Sequence, residues 1–114
     1  MESGIAYIKS RHFAIRIVRL YRHLTEHNEF VLSKQLLRSG TSIGANLAEA
    51  RRAISRSDFL AKVYIALKEC SETEYWLDLL HDTDIITDSE YNSIHADCEE
   101  LLRILTATTR TMSS

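Results

Sequence analysis

His23-Leu-Thr-Glu26-His27 is the stretch of this chain whose residue types and spacing have the most direct chemical meaning. It matches the H-x-x-E-H order in which two histidines on one helix face hold zinc and the glutamate acts as base. Such a site also needs a third protein ligand. Here the pair projects onto the basic, outward arc of its helix, near the helix end, and no later acid is spaced as that ligand. A metal-dependent hydrolase using His23, Glu26 and His27 therefore stands only as a third reading. Asp78-Leu-Leu-His81 has Asp where a di-iron bundle needs Glu-x-x-His, and no second copy occurs. Cys70 and Cys98 lie in apolar stripes and form no C-x-x-C, so they read as reduced core thiols. Neither G-x-x-x-x-G-K-[ST] nor G-x-G-x-x-G is present. The expectation is a protein without catalytic residues, metal or cofactor.

Charge offers a second kind of chemistry. Residues 1–68 hold 12 Lys/Arg and 5 Asp/Glu, whereas residues 69–114 hold 2 and 11, although the net charge is only −2. Lys9, Arg11, Arg16, Arg19 and Arg22 share one face of the first helix, and Arg51, Arg52 and Arg56 cluster near a loop. These are the candidate nucleic-acid contacts, because phosphate contacts add electrostatically. The same cations could instead meet the acidic half of a neighbouring subunit, a head-to-tail contact of the kind that closes rings. Ile15 among them hints at a protein contact.

A third set is polar and regular. Gln35, Ser39, Ser42, Asn46 and Glu49 step four, three, four, three, the spacing of a helix-packing seam. Lys62, Ile65, Glu69, Glu72 and Trp76 repeat that spacing further on, and their charges could answer the first set or Arg38. Polar seam residues need partners and tend to specify register or assembly, here either within the chain or across an interface. Beside the first seam, Gly40, Gly44 and Ala48 form a stripe that admits another helix backbone. Tyr75 and Trp76 could stack on bases, or serve as core or subunit anchors.

These residues must be positioned by helices. The 114 residues contain no proline and three glycines, with 45 % hydrophobic and 26 % charged residues, the make-up of one globular domain. Helices are predicted at about 5–25, 29–53, 56–81 and 88–110. Phe13, Ala14, Ile17, Val18, Leu20, Tyr21 and Leu24 give the first its apolar arc, and Leu32, Leu36, Ile43, Leu47 and Ile54 the second. Phe59, Val63, Ala66, Leu67, Cys70, Thr73 and Leu77 line the third. Tyr91, Ile94, Cys98, Leu101, Leu105, Thr108 and Met112 run at near-heptad spacing through the fourth, which Thr87-Asp-Ser-Glu90 opens as a capping box. Four such helices with short connections predict an all-α, antiparallel up-down-up-down four-helix bundle. No apolar run is long enough for a membrane span and no signal peptide opens the sequence, so a cytoplasmic protein with no membrane partner is expected.

The stretch QLLRSGTSIGANLAEA followed by SRSDFLAKVYIALKECSETEYWLDLL closely resembles one family: the four-helix-bundle proteins first noted as reading frames in intervening sequences of 23S ribosomal RNA genes. The likeness spans Gln35 to Leu80, with looser agreement in the first helix and at the end, and its matching positions are Arg38, Ser42, Asn46, Glu49, Phe59, Lys62, Glu69, Glu72, Tyr75 and Trp76. The resemblance implies a bacterial cytoplasmic bundle and a homo-oligomer, with a ring-shaped pentamer favoured. It implies little about activity. Related accessory proteins of diversity-generating retroelements are thought to bind nucleic acid and a reverse transcriptase. This chain differs from those in its net acidic balance, and has Asn28-Glu29-Phe30 where many relatives carry a proline.

The preferred reading is thus a non-enzymatic homo-oligomeric scaffold or adaptor, engaging RNA or DNA through the first helix. Its packing or oligomer network would be Gln35, Arg38, Ser39, Ser42, Asn46, Glu49, Lys62, Glu69, Glu72, Tyr75 and Trp76. The alternative is a protein-only accessory partner of a neighbouring-gene enzyme, such as a reverse transcriptase.

Overall fold

Helices stop and start here where side chains or turns satisfy the backbone groups that an α-helix leaves open. The computed structural model describes residues 3–113, in which four helices follow one another: α1 (Ser3–Glu26), α2 (Leu32–Ala50), α3 (Arg56–Asp82) and α4 (Asp88–Ser113). α1 and α3 end in the same way. Asn28 (φ 66°) and Asp84 (φ 62°) take the left-handed conformation, and the amides that follow, Glu29 N and Ile85 N, each bond at 2.9 Å to a carbonyl five residues back, Leu24 and Leu80. Asn and Asp tolerate this conformation better than other non-glycine residues.

α2 is shorter than the 29–53 predicted from sequence. At its start the Glu29 side chain accepts from Leu32 N at 3.0 Å and Ser33 N at 2.9 Å, so Glu29 caps the helix from outside it. At its end Arg52 N and Ala53 N bond to Glu49 and Ala50 carbonyls three residues back, a tightening turn that hands the chain to the α3 cap. That cap is reciprocal. Ser55 Oγ accepts from Asp58 N at 3.0 Å, and Asp58 Oδ2 accepts from Ile54 N at 3.2 Å. Ile54, expected on the apolar seam of α2, consequently sits in the loop and is 94 % exposed. The capping box before α4 forms as read, with Glu90 N donating to Thr87 Oγ1 at 3.1 Å and Thr87 N to Glu90 Oε1 at 2.8 Å. The remaining boundaries differ by a few residues, chiefly in α4, which continues to Ser113.

Each helix packs on its two neighbours and none on its diagonal, so α1 faces α3, and α2 faces α4, across a shared core. The cross-links run in opposite directions along successive helices, giving the up-down-up-down bundle, 44 Å long and 20 by 18 Å across. Phe13, Ile17, Leu24, Leu36, Ile43, Leu47, Val63, Leu77, Leu80, Leu101 and Leu105 fill its middle. On α4 the buried stripe drifts from heptad spacing. Thr109 is buried where Thr108 was expected, as a helix of 3.6 rather than 3.5 residues per turn requires.

The small-residue stripe of α2 meets α1. A Cβ built on Gly40 would lie 2.8 Å from both γ-carbons of Ile17, and one on Gly44 3.3 Å from Ser10 Oγ. Glycine at position 40 is what lets Ile17 reach the α2 backbone. The pairing of α1 with α4 is the loosest of the four, and two shallow grooves of about 290 and 400 Å³ lie along it.

Candidate functional site

The polar seams of α2 and α3 face each other within the chain. Arg38 is the hub: its Nε donates to Gln35 Oε1 at 3.3 Å, Nη1 to Glu69 Oε1 at 3.3 Å, and Nη2 to Glu72 Oε2. Glu72 Oε2 also accepts from Trp76 Nε1 at 2.9 Å, fixing an indole that packs edge-on against Tyr75 at 5.0 Å between centroids. One turn inward, buried Thr73 donates to buried Ser39 Oγ at 2.9 Å. Towards the other end Lys62 Nζ meets Glu49 Oε1 at 2.8 Å, and that carboxylate raises the lysine pKa. Ser42 and Asn46 turn back on their own helix, donating to the Arg38 and Ser42 carbonyls at 2.7 and 2.8 Å. Of the two destinations that sequence left open, the seam contacts are made within one chain. Tyr75 remains largely exposed, as do Gln35, Arg38 and Glu49.

The basic residues divide into engaged and unengaged groups. Lys9 Nζ lies 3.3 Å from Glu100 Oε2, and Arg16 reaches Asp97 Oδ2 at 2.7 Å, Ser93 Oγ at 2.7 Å and the Ser93 carbonyl at 3.2 Å. These links join α1 to the acidic α4, so part of the charge asymmetry is answered inside the bundle. Arg56 donates to the Met112 carbonyl at 2.8 Å, and Arg51 stands 4.5 Å above the Tyr7 ring. Arg11, Arg19, Arg22 and Arg52 make no ion pair among the described residues, and all four are exposed. The first three share the outer side of α1 with Ile5, Ile8 and Ile15, which are 59, 57 and 43 % exposed.

Of the other candidate chemistry, His23 and His27 lie 4.4 Å apart at the C-terminus of α1, with His27 Nδ1 bonded to the His23 carbonyl at 2.8 Å. Among the described residues no three His, Cys, Asp or Glu side chains come together in a form that could hold a metal ion. Cys70 and Cys98 are buried between α3 and α4 with their sulfurs 3.9 Å apart. Contact with Cys70 and burial push the Cys98 thiol far up, which makes it a poor nucleophile.

One cluster went unnoticed in the sequence. His81, Tyr91 and His95 stack face to face where α3 meets α4, at 4.2 and 4.8 Å between centroids. Asp88 holds His81 at 2.6 Å, Glu74 holds His95 at 2.9 Å, and Tyr91 Oη donates to Asp78 Oδ1 at 2.6 Å. Burial, the Asp78 bond and the surrounding carboxylates raise the Tyr91 pKa well above its usual value. The signal was the helical spacing of Glu74, Asp78 and His81 opposite Asp88, Tyr91 and His95, which acquires meaning only once α3 and α4 are paired.

An antiparallel four-helix bundle whose polar seams close on themselves defines the class of protein. More narrowly, the chain belongs to the 23S rRNA-intervening sequence protein family, whose model matches residues 2–107. It is similar at 52 % identity to a crystal structure of a protein with unknown function from the S23 ribosomal protein family of Bacteroides thetaiotaomicron VPI-5482. That likeness covers 96 % of this chain and 99 % of the other, with a TM-score of 0.93. No curated protein matches the chain. No helix among the described residues is long and apolar enough to cross a membrane.

Proposed function

We propose that the protein is a non-enzymatic, cytoplasmic scaffold or adaptor that works as a homo-oligomer. The observation that carries this reading is the outer side of α1, where three exposed isoleucines lie among three arginines that have no acidic partner among the described residues. Three large aliphatic side chains gathered on one outward helix face favour association over bare solvation. The pentamer implied by the family resemblance is the expected assembly. Light scattering of purified protein tests the reading. A mass of several chains that falls when Ile8 and Ile15 become Asp supports it, and a monomer at all accessible concentrations refutes it.

A second reading has its own support. Once the contacts with α4 are set aside, Arg11, Arg19, Arg22 and Arg52 remain for RNA or DNA phosphates, and an oligomer multiplies that set by its copy number. Affinity for single- or double-stranded probes should fall steeply with salt and weaken in Arg11→Ala/Arg19→Ala/Arg22→Ala. Changing Lys9 or Arg16, which already face carboxylates, should matter less. An absence of affinity at low salt removes nucleic acid and leaves a protein scaffold.

A further inference from the structure

Cys70 and Cys98 face each other near the middle of the α3–α4 contact, and neither has any exposed surface. Their sulfurs stand 3.9 Å apart, and each thiol points at the other's backbone. Cys70 Sγ donates to the Cys98 carbonyl at 3.5 Å, and Cys98 Sγ to the Cys70 carbonyl at 3.6 Å. A disulfide holds its sulfurs about 2 Å apart, so the pair lies about 2 Å short of bonding, a gap within reach of side-chain rotation. The place of the pair also matters. Because α1 pairs only loosely with α4, the last helix is held to the bundle chiefly by α3, across the contact that carries both thiols.

We infer that Cys70 and Cys98 form a redox latch: hydrogen peroxide joins them in the folded protein, and the bond fastens α4 to α3. Burial selects the oxidant. A sulfur with no exposed surface admits a molecule the size of peroxide during brief openings of the helix pair, whereas a small-molecule disulfide has to leave a bulky adduct in the core. Burial also keeps the latch open at rest. The Cys98 thiol, pushed far up by contact with Cys70 and by desolvation, stays protonated and slow to react until oxidant accumulates.

The chemistry balances with peroxide alone. One sulfur, as its thiolate, attacks a peroxide oxygen; the O–O bond breaks, and the leaving hydroxide takes up the proton that thiol lost, forming water. The attacking sulfur is now a sulfenic acid. The second sulfur attacks it, the S–OH bond breaks, and that hydroxide leaves as water with the second thiol's proton. Two thiols and one peroxide thus give one disulfide and two waters, with both sulfurs oxidised and both peroxide oxygens reduced.

The sequence provides a clean readout. Trypsin releases residues 69–103 as one fragment, which contains both cysteines and neither Met1 nor Met112, so methionine oxidation cannot imitate the result. After peroxide treatment of the folded protein, that fragment should be lighter by two hydrogens and should no longer react with iodoacetamide. The melting temperature should rise by about 10 °C, as expected for a bond between residues 28 apart. Oxidised glutathione at the same concentration should leave the folded protein unchanged. Cys70→Ala and Cys98→Ala should each gain no thermal stability from peroxide. If either variant fails to fold, treated wild type reduced by a phosphine in urea and then refolded should return to its original melting temperature. A fragment that keeps both hydrogens overturns the inference, as does a covalent dimer on a non-reducing gel. A bond that forms only after urea unfolds the protein, or that leaves the melting temperature unchanged, also overturns it. Closure by oxidised glutathione as fast as by peroxide overturns the assignment of the oxidant.

Discussion

Replacing Gly40 and Gly44 separately by alanine should move stability in opposite directions, although both occupy the same stripe on the same helix. Taken alone, Gly→Ala in a helix interior gains about 1 kcal/mol from propensity. At Gly44 the new methyl would meet Ser10 Oγ at 3.3 Å and Ser10 backbone atoms at 3.7 Å, which is tight only at a hydroxyl. Most of the gain should survive there. At Gly40 the methyl would lie 2.8 Å from two Ile17 carbons and 3.2 Å from a third. Ile17 has no exposed surface, and a β-branched side chain in a helix is confined to essentially one rotamer, so it has nowhere to turn. Overpacking of this kind costs about 1–3 kcal/mol, leaving Gly40→Ala destabilised by roughly 1 kcal/mol after the propensity gain. Thermal unfolding should therefore separate the two variants by about 6 °C, taking about 4 °C per kcal/mol for a chain of this size. The cause can be isolated. Ile17→Ala removes the obstructing carbons at its own cost of about 2–5 kcal/mol, and in that background Gly40→Ala should become stabilising. If Gly40→Ala melts as high as Gly44→Ala, or its effect is unchanged when Ile17 is removed, the close approach of α1 to α2 is not what this glycine provides.

The helix ends and the α3–α4 cluster supply four further variants with expected outcomes. Asp84→Gly should raise stability by about 0.5–1 kcal/mol in urea unfolding, because Asp84 adopts φ 62° and glycine takes that conformation without penalty. Thr87→Ala should cost about 1 kcal/mol through loss of the α4 cap. The Thr87 amide holds the Glu90 pKa below its usual 4.5, so its contribution is present above that pH and lost as pH falls through the lowered value; acid unfolding of Glu90→Gln should show a shallower slope between pH 5 and 3. Tyr91→Phe should cost about 1–2 kcal/mol by leaving Asp78 without its donor. With the Tyr91 pKa raised, that contribution is complete below the ordinary tyrosine value and fades as pH climbs past it. The gap between wild type and variant in urea midpoints should accordingly hold near neutrality and close above about pH 10.

The apolar stripes of all four helices, with the short connections between them, were enough to reveal the bundle, because each stripe is long and uninterrupted by proline. Boundaries were less legible. Glu29 resembles a first-turn residue but spends its carboxylate on amides three and four positions ahead, so α2 begins later than its composition suggests. The polar seams could be read as seams, yet spacing alone cannot say whether the partner helix belongs to the same chain; the meeting of Arg38 with Glu69 and Glu72 answers that. The basic face of α1 was visible as a set, but its division depended on α4. Lys9 and Arg16 lie on the edge that turns towards Glu100 and Asp97, and Arg11, Arg19 and Arg22 do not. The His81–Tyr91–His95 stack needed the register of two helices, which no single stretch encodes.

Arg38 with Glu72, and Lys62 with Glu49, tie α2 to α3 as a hairpin without using any outward residue of α1. The stretch most like the family lies in that hairpin, and the isoleucines and unpartnered arginines of α1 lie outside it. A substitution among those outward residues therefore changes what the surface can hold while leaving these inter-helix ties in place.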